Sequence, residues 1–127
     1  TYYLKFHMCY STMKEPKNHF YFFLILVLIG SSIPGASVPS FVSLSWDKLL
    51  HVVEYSFLGF LGYRAYHKEL KFPIYYIIIF GLFFGIFDET LQSFVPGRFS
   101  SHYDVIADVI GVICGVFTGA SIYKDPI

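Results

Sequence analysis

Four stretches of the chain are almost continuously apolar, separated by short segments of Pro, Gly, Ser and charge. The first runs from about His19 to Ile33 and ends at Ser31-Ser32-Ile33-Pro34-Gly35. The second covers about Trp46 to Tyr66, the third Phe72 to about Phe94, and the fourth about Tyr103 to Tyr123. Apolar runs of about 20 residues match helices that cross a hydrocarbon layer of about 30 Å. Lipid offers no partner to a free peptide group, so helix is the predicted conformation of each. Pro73 falls at a first-turn position, where its missing N–H does no harm. Pro34, Pro39 and the small residues between them predict a loop. The pattern thus predicts an all-α, polytopic integral membrane protein with four transmembrane helices. The first run is short and preceded by Lys14 and Lys17, so it also fits a signal peptide cleaved near Ala36. The long aromatic tail ahead of it, and the later spans' need for a packing partner, favour a retained span.

Composition supports lipid as the solvent. The 127 residues are 55% hydrophobic and 14% charged, whereas soluble domains carry about 25% charged residues. That length allows one membrane domain, residues 19–127, behind a cytoplasmic or interfacial tail, residues 1–18. Tyr2, Tyr3, Phe6 and Tyr10 would lay the tail along the inner interface. Net charge is zero, which removes the electrostatic case for a nucleic-acid partner. Cys9 in the tail and Cys114 in the last apolar run are badly placed for a disulfide or a metal site and read as free thiols. With the N-terminus inside, Lys5, Lys14, Lys17, Arg64, Lys68, Lys71 and Lys124 fall on the cytoplasmic side, and only Lys48 and Arg98 outside. That asymmetry predicts an N-in/C-in arrangement by the positive-inside rule, with loops at about Pro34–Ser45 and Val95–His102 outside.

The carboxylates break the apolar pattern. Six of the nine, Asp47, Glu54, Asp88, Glu89, Asp104 and Asp108, lie inside or at the rim of the last three runs. In this topology all six fall in the outer third of the bilayer. A charge in hydrocarbon costs roughly 2.5–3.5 kcal/mol on insertion scales, so such groups turn towards a bundle interior and mark a pocket or path. Neighbours on a helix face are three or four residues apart, which aligns Asp47, His51 and Glu54. The same spacing aligns Gly81, Gly85, Asp88 and Gln92, with Glu89 one position off, and also Asp104, Asp108, Gly111, Gly115 and Gly119. Small residues at four-residue spacing let membrane helices approach closely. The glycine halves therefore predict tight inner packing, with the outer halves opening into a polar cup.

The ordered set Asp47-Lys48-x-x-His51-x-x-x-Tyr55, Asp88-Glu89-x-x-Gln92, Pro96-Gly97-Arg98 and Asp104-x-x-x-Asp108-x-x-Gly111 resembles the VanZ-like family of small bacterial membrane proteins. The match covers about Trp46 to Gly119. Relatives often carry Asn at the position of Asp108, so this chain holds an additional acid there. The resemblance implies a multi-pass protein of the bacterial cytoplasmic membrane that faces the envelope. It also implies a link to tolerance of the glycopeptide teicoplanin, without a defined reaction.

Two chemistries suit the cluster. In the first, the cup binds a lipid-linked envelope precursor or an anionic lipid headgroup. Arg98 offers a planar fork for phosphate or carboxylate, held by the Pro96-Gly97 turn, with Asp47, Lys48, Tyr55, Gln92 and Asp104 as further substrate-binding residues. Six acids repel an anion unless a divalent cation or protonation intervenes. The second is therefore a metal-assisted or acid/base hydrolase or transferase on a lipid-linked substrate. Its candidate catalytic residues are His51, Glu54, Asp88, Glu89 and Asp108. Glu54 or Glu89 would serve as the general acid that crowded carboxylates supply in a low dielectric. Asp88, Asp104, Asp108 and His51 would hold Mg²⁺, Ca²⁺ or Mn²⁺ if a cation binds. No nucleophile motif is visible, and Ser100-Ser101 beside His102 reads as loop chemistry. As interhelical glue, Lys48 would pair with Asp104, Arg98 with Asp88 or Glu89, and His51 with a carboxylate. Membrane interhelical hydrogen bonds average only about 0.6 kcal/mol, too little to explain six buried acids. The inner halves of the last two spans hold no acid, base or charged group, which argues against proton or ion translocation.

Overall fold

The structure, a computed structural model, describes residues 15–37 and 44–124. The tail residues 1–14, with Lys5, Cys9 and Lys14, and loop residues 38–43, with Pro39, lie outside the described residues. Helices α1 (Pro16–Ser31), α2 (Leu44–Tyr66), α3 (Pro73–Ser93) and α4 (His102–Ile122) carry the fold, with a 3₁₀ turn at Gly35–Ser37. No strand occurs among the described residues. Their bounds lie within three residues of the apolar runs. Pro16 and Pro73 open their helices where no intrahelical N–H is required. Ser101 caps α4, its Oγ accepting from Tyr103 N at 3.2 Å.

The helices alternate in direction. The end of α1, the start of α2, the end of α3 and the start of α4 meet at one end, where Gln92 reaches Ser31 and Lys48 reaches Asp104. At the opposite end Lys17 pairs with Glu69 at 2.6 Å, Arg64 donates to His19 Nδ1 at 3.4 Å, and Tyr21 bonds Tyr66 through their hydroxyls. Two loops are tied together at the first end by Gly35 N donating to Pro96 O at 2.8 Å. Pro96 and Gly97 form a type II-like turn closed by Arg98 N to Val95 O at 3.2 Å, and Gly97 takes φ +76°, a conformation that favours glycine. A side chain at Gly35 would overlap the Gly97 backbone.

Glycines set the closest contacts. Gly111 and Gly115 of α4 rest on the carbonyls of Val52 and Ser56, and Gly59 of α2 on that of Val112. Gly81 and Gly85 of α3 face the side chains of Val112 and Asp108. The glycine stripes thus pack α4 against both α2 and α3. Phe20, Val27, Tyr55, Leu58, Ile77, Val112 and Val116 fill the core, so α1 contributes to it.

The polarity is that of a bundle turned inside out. Phe83 is 66% exposed while Asp108 is 0% exposed, the reverse of the usual soluble distribution. Helices α3 and α4 are long and apolar enough to cross a bilayer. Helix α1, at about 1.5 Å per residue, extends about 24 Å. Helix α2 has the length, but Asp47, Lys48, Glu54 and Arg64 lower its apolarity.

Gly115→Ala forces a Cβ into the Ser56 carbonyl and is expected to lower stability by about 1–3 kcal/mol. Gly30→Ala meets nothing within 4 Å and should hold or raise stability. Thermal unfolding of both variants in the same detergent measures the difference.

Candidate functional site

Three helices deliver the acids to one end, and each buried acid meets a polar group from another element. Asp108 of α4 accepts from His51 Nδ1 of α2 at 2.7 Å, and both side chains are buried. Asp104, one turn earlier, is 1% exposed and accepts from Lys48 Nζ at 2.9 Å. The Lys48 side chain stays 42% exposed while its head reaches the acid. Asp88 of α3 accepts from Tyr55 Oη at 3.1 Å. Glu89 accepts from the backbone N–H of Ser101 at 3.1 Å, just ahead of α4. Gln92 Nε2 donates to Ser31 Oγ at 3.2 Å.

These bonds satisfy only half of the acid oxygens. Asp88 Oδ1, Glu89 Oε1 and Asp108 Oδ2 are buried without a hydrogen-bond partner among the described residues. A buried acceptor left unpaired costs about 1–3 kcal/mol, more for a charged group. His51 fixes its orientation through Asp108, which leaves Nε2 3.8 Å from Glu89 Oε1 and 3.9 Å from Asp47 Oδ2. Both distances are too long for hydrogen bonds.

The polar groups divide into a cleft and a buried layer. A cleft of about 210 Å³ is lined by Asp47, His51, Glu54, Gln92 and Arg98, with Ser31 and neighbours from the loop after α1. Lys48, Tyr55, Asp88, Glu89, Asp104 and Asp108 lie outside that lining. His51 belongs to both parts. In place of the single cup expected from helix spacing, a cleft is backed by polar side chains that lie outside its lining. Positions 47 and 54, two turns apart, place Asp47 and Glu54 on the cleft wall, while α4 draws Lys48 to its own side.

One alternative pairing and one candidate ligand set differ from what the structure holds. Lys48–Asp104 forms, but Arg98 makes no ion pair with Asp88 or Glu89 within 4 Å, because the Pro96-Gly97 turn carries it to the cleft wall. The donor trios lying within 4.8 Å among the described residues are Asp47–His51–Asp104 and His51–Glu89–Asp108. Asp88, one of the expected cation ligands, belongs to neither and accepts instead from Tyr55. Trp46 and His102 are exposed.

Ser31 and the Ser101 amide were not foreseen as site members. The Ser31-Ser32 pair signalled a helix end, which it is: Ser32 Oγ bonds Leu28 O at 2.7 Å. That a helix ending there would offer Ser31 to Gln92 depends on α1–α3 packing. The partner of Glu89 is a backbone group, which no side-chain pattern encodes.

An all-helical bundle with two bilayer-length apolar helices, apolar aromatics outside and acids inside points to a membrane protein. A family model for VanZ/LLP1 matches residues 3–123, and the chain belongs to the VanZ/LLP1 family. Comparison with curated proteins found no match. Comparison with solved structures found none either.

Tyr55→Phe strips Asp88 of its hydroxyl donor while Asp88 Oδ1 already lacks one. A stability loss of about 1–3 kcal/mol is expected, measured by denaturant unfolding in detergent. Unchanged stability would show that the hydroxyl does not support Asp88.

Proposed function

We propose that this VanZ/LLP1-family protein crosses the bacterial cytoplasmic membrane four times, N-in/C-in, and binds the phosphate-bearing headgroup of an envelope lipid or lipid-linked precursor. Binding would shield or modify that component so that teicoplanin acts on it less well. One observation carries the reading: Arg98, half-buried on the cleft wall, has no ion-pair partner within 4 Å among the described residues. A guanidinium held on a tight turn beside a polar cleft is free to give two parallel hydrogen bonds to a phosphate.

The division of the site answers the charge objection. Asp104 is paired with Lys48, Asp108 with His51, and Asp88 with Tyr55, and none of these three acids lines the cleft. Of the six acids, Asp47 and Glu54 line the cleft, together with Arg98 and His51. An anion entering there meets a mixed wall. Ser31 and Gln92 add polar groups suited to headgroup oxygens.

A second reading rests on His51. An imidazole oriented by a carboxylate, with its other nitrogen unbonded, also suits a metal-assisted or acid/base hydrolase or transferase on a lipid-linked substrate. In that reading Glu54 and Glu89 are the further acid/base candidates.

Native mass spectrometry of the purified protein with phosphate-bearing lipids tests the binding reading, alongside the teicoplanin sensitivity of cells expressing each variant. Arg98→Gln should weaken headgroup binding at least about tenfold, the loss of one charge-assisted hydrogen bond, and abolish tolerance while insertion is retained. Equal binding by this variant overturns the reading, and release of a cleaved headgroup by the wild type decides for the hydrolase. Topology is checked separately in a background with Cys9→Ser and Cys114→Ser. An impermeant thiol reagent applied to intact cells should label Ser100→Cys and not Lys68→Cys, and the opposite pattern contradicts the N-in arrangement.

A further inference from the structure

We infer that His51 Nε2 and Glu89 Oε1 hold a divalent cation behind the cleft, with Asp108 orienting the imidazole from its other nitrogen. The inference goes beyond headgroup binding and stands on donor geometry alone. Donor atoms of the three residues lie within 4.8 Å of one another, and each residue is buried. Crowding of acids is not by itself a ligand site. Here a second observation points inward: Glu89 Oε1, on a side chain only 8% exposed, is fully buried, has no hydrogen-bond partner among the described residues and faces His51 Nε2.

The surroundings hold these donors as a metal site's outer groups would. Asp108 Oδ1 takes the Nδ1–H of His51, which fixes the tautomer with Nε2 free. Ser101 N–H takes Glu89 Oε2, leaving Oε1 facing the imidazole. Metal-binding histidines usually have their second nitrogen bonded to a carboxylate or carbonyl in this way. The 3.8 Å between His51 Nε2 and Glu89 Oε1 is the chord that two donors about 2.1 Å from one ion subtend at about 130°. His51 also lines the cleft, which gives an ion a route in.

One imidazole with a carboxylate suits a hard or borderline cation of the Mn²⁺ type better than a thiophilic one. The other trio, Asp47–His51–Asp104, shares His51 but is weaker. Asp104 is already held by Lys48, and Asp47 is partly exposed.

The test uses the full chain, stripped with chelator and reconstituted in phosphatidylcholine nanodiscs, with Mn²⁺ alone as the probe and free Mn²⁺ counted by electron paramagnetic resonance. The expected result is one saturable Mn²⁺ per chain. Glu89→Gln and His51→Gln should weaken binding at least about tenfold, and Glu69→Gln, at the far end of the bundle, should leave it unchanged. Helicity by circular dichroism checks that each variant folds. Pulsed resonance on the wild type needs no variant and should show coupling to one imidazole nitrogen. Absence of saturable binding, absence of nitrogen coupling, or full binding by Glu89→Gln overturns the site. Loss in Asp47→Asn with retention in Glu89→Gln also overturns it, in favour of the rim trio. Failure of Mn²⁺ binding leaves the Arg98 headgroup test intact, because that test reads lipid binding.

Discussion

A carboxylate inside an apolar bundle must find a donor on another helix, and this requirement organises the molecule. His51 on α2 and Asp108 on α4 meet at 2.7 Å with almost no solvent access. That contact demands close approach of the two backbones, which Gly111 and Gly115 supply by resting on α2 carbonyls. The glycine stripe below and the polar pair above are therefore one device. Small residues bring the rods together, and complementary polar groups fix their register. Lys48–Asp104, one turn towards the end, repeats the pairing between the same two helices.

Helix α3 completes the interior on different terms. Asp88 and Glu89 each receive one donor, Tyr55 from α2 and the Ser101 amide from the α4 entry. Each keeps a second buried oxygen unsatisfied. A structure selected for stability alone would favour apolar residues there, since replacing buried ionic groups by well-packed hydrophobes is often neutral or stabilising. The incomplete satisfaction sits beside a cleft that holds an unpaired arginine. Buried imbalance and a free cationic fork within one end of the bundle make a functional reading stronger than a purely structural one.

Much of this was legible in the chain. The four helices, their bounds to within three residues and the faces carrying Asp47, His51, Asp88, Asp104 and Asp108 follow from apolar run length and three-to-four spacing. Lys48–Asp104 and a carboxylate partner for His51 follow from opposite charges at matching depth. The alternative pairing of Arg98 with Asp88 or Glu89 does not form, because spacing says nothing of where a turn aims its third residue. The positive φ of Gly97 and the Gly35–Pro96 hydrogen bond decide that. Ser31 and the Ser101 amide were missed for a related reason: their roles depend on contacts between helices distant in sequence. Separation of cleft from buried layer likewise depends on helix rotation, which periodicity fixes only relative to each helix's own axis.

The central claim is that His51 and Asp108 are directly coupled across α2 and α4. A double-mutant cycle with His51→Phe, Asp108→Leu and the pair, read as unfolding free energy in one detergent, measures that coupling. The account predicts an interaction of about 0.5–3 kcal/mol, with the double variant less destabilised than the sum of the singles. Strict additivity of the two substitutions would contradict it.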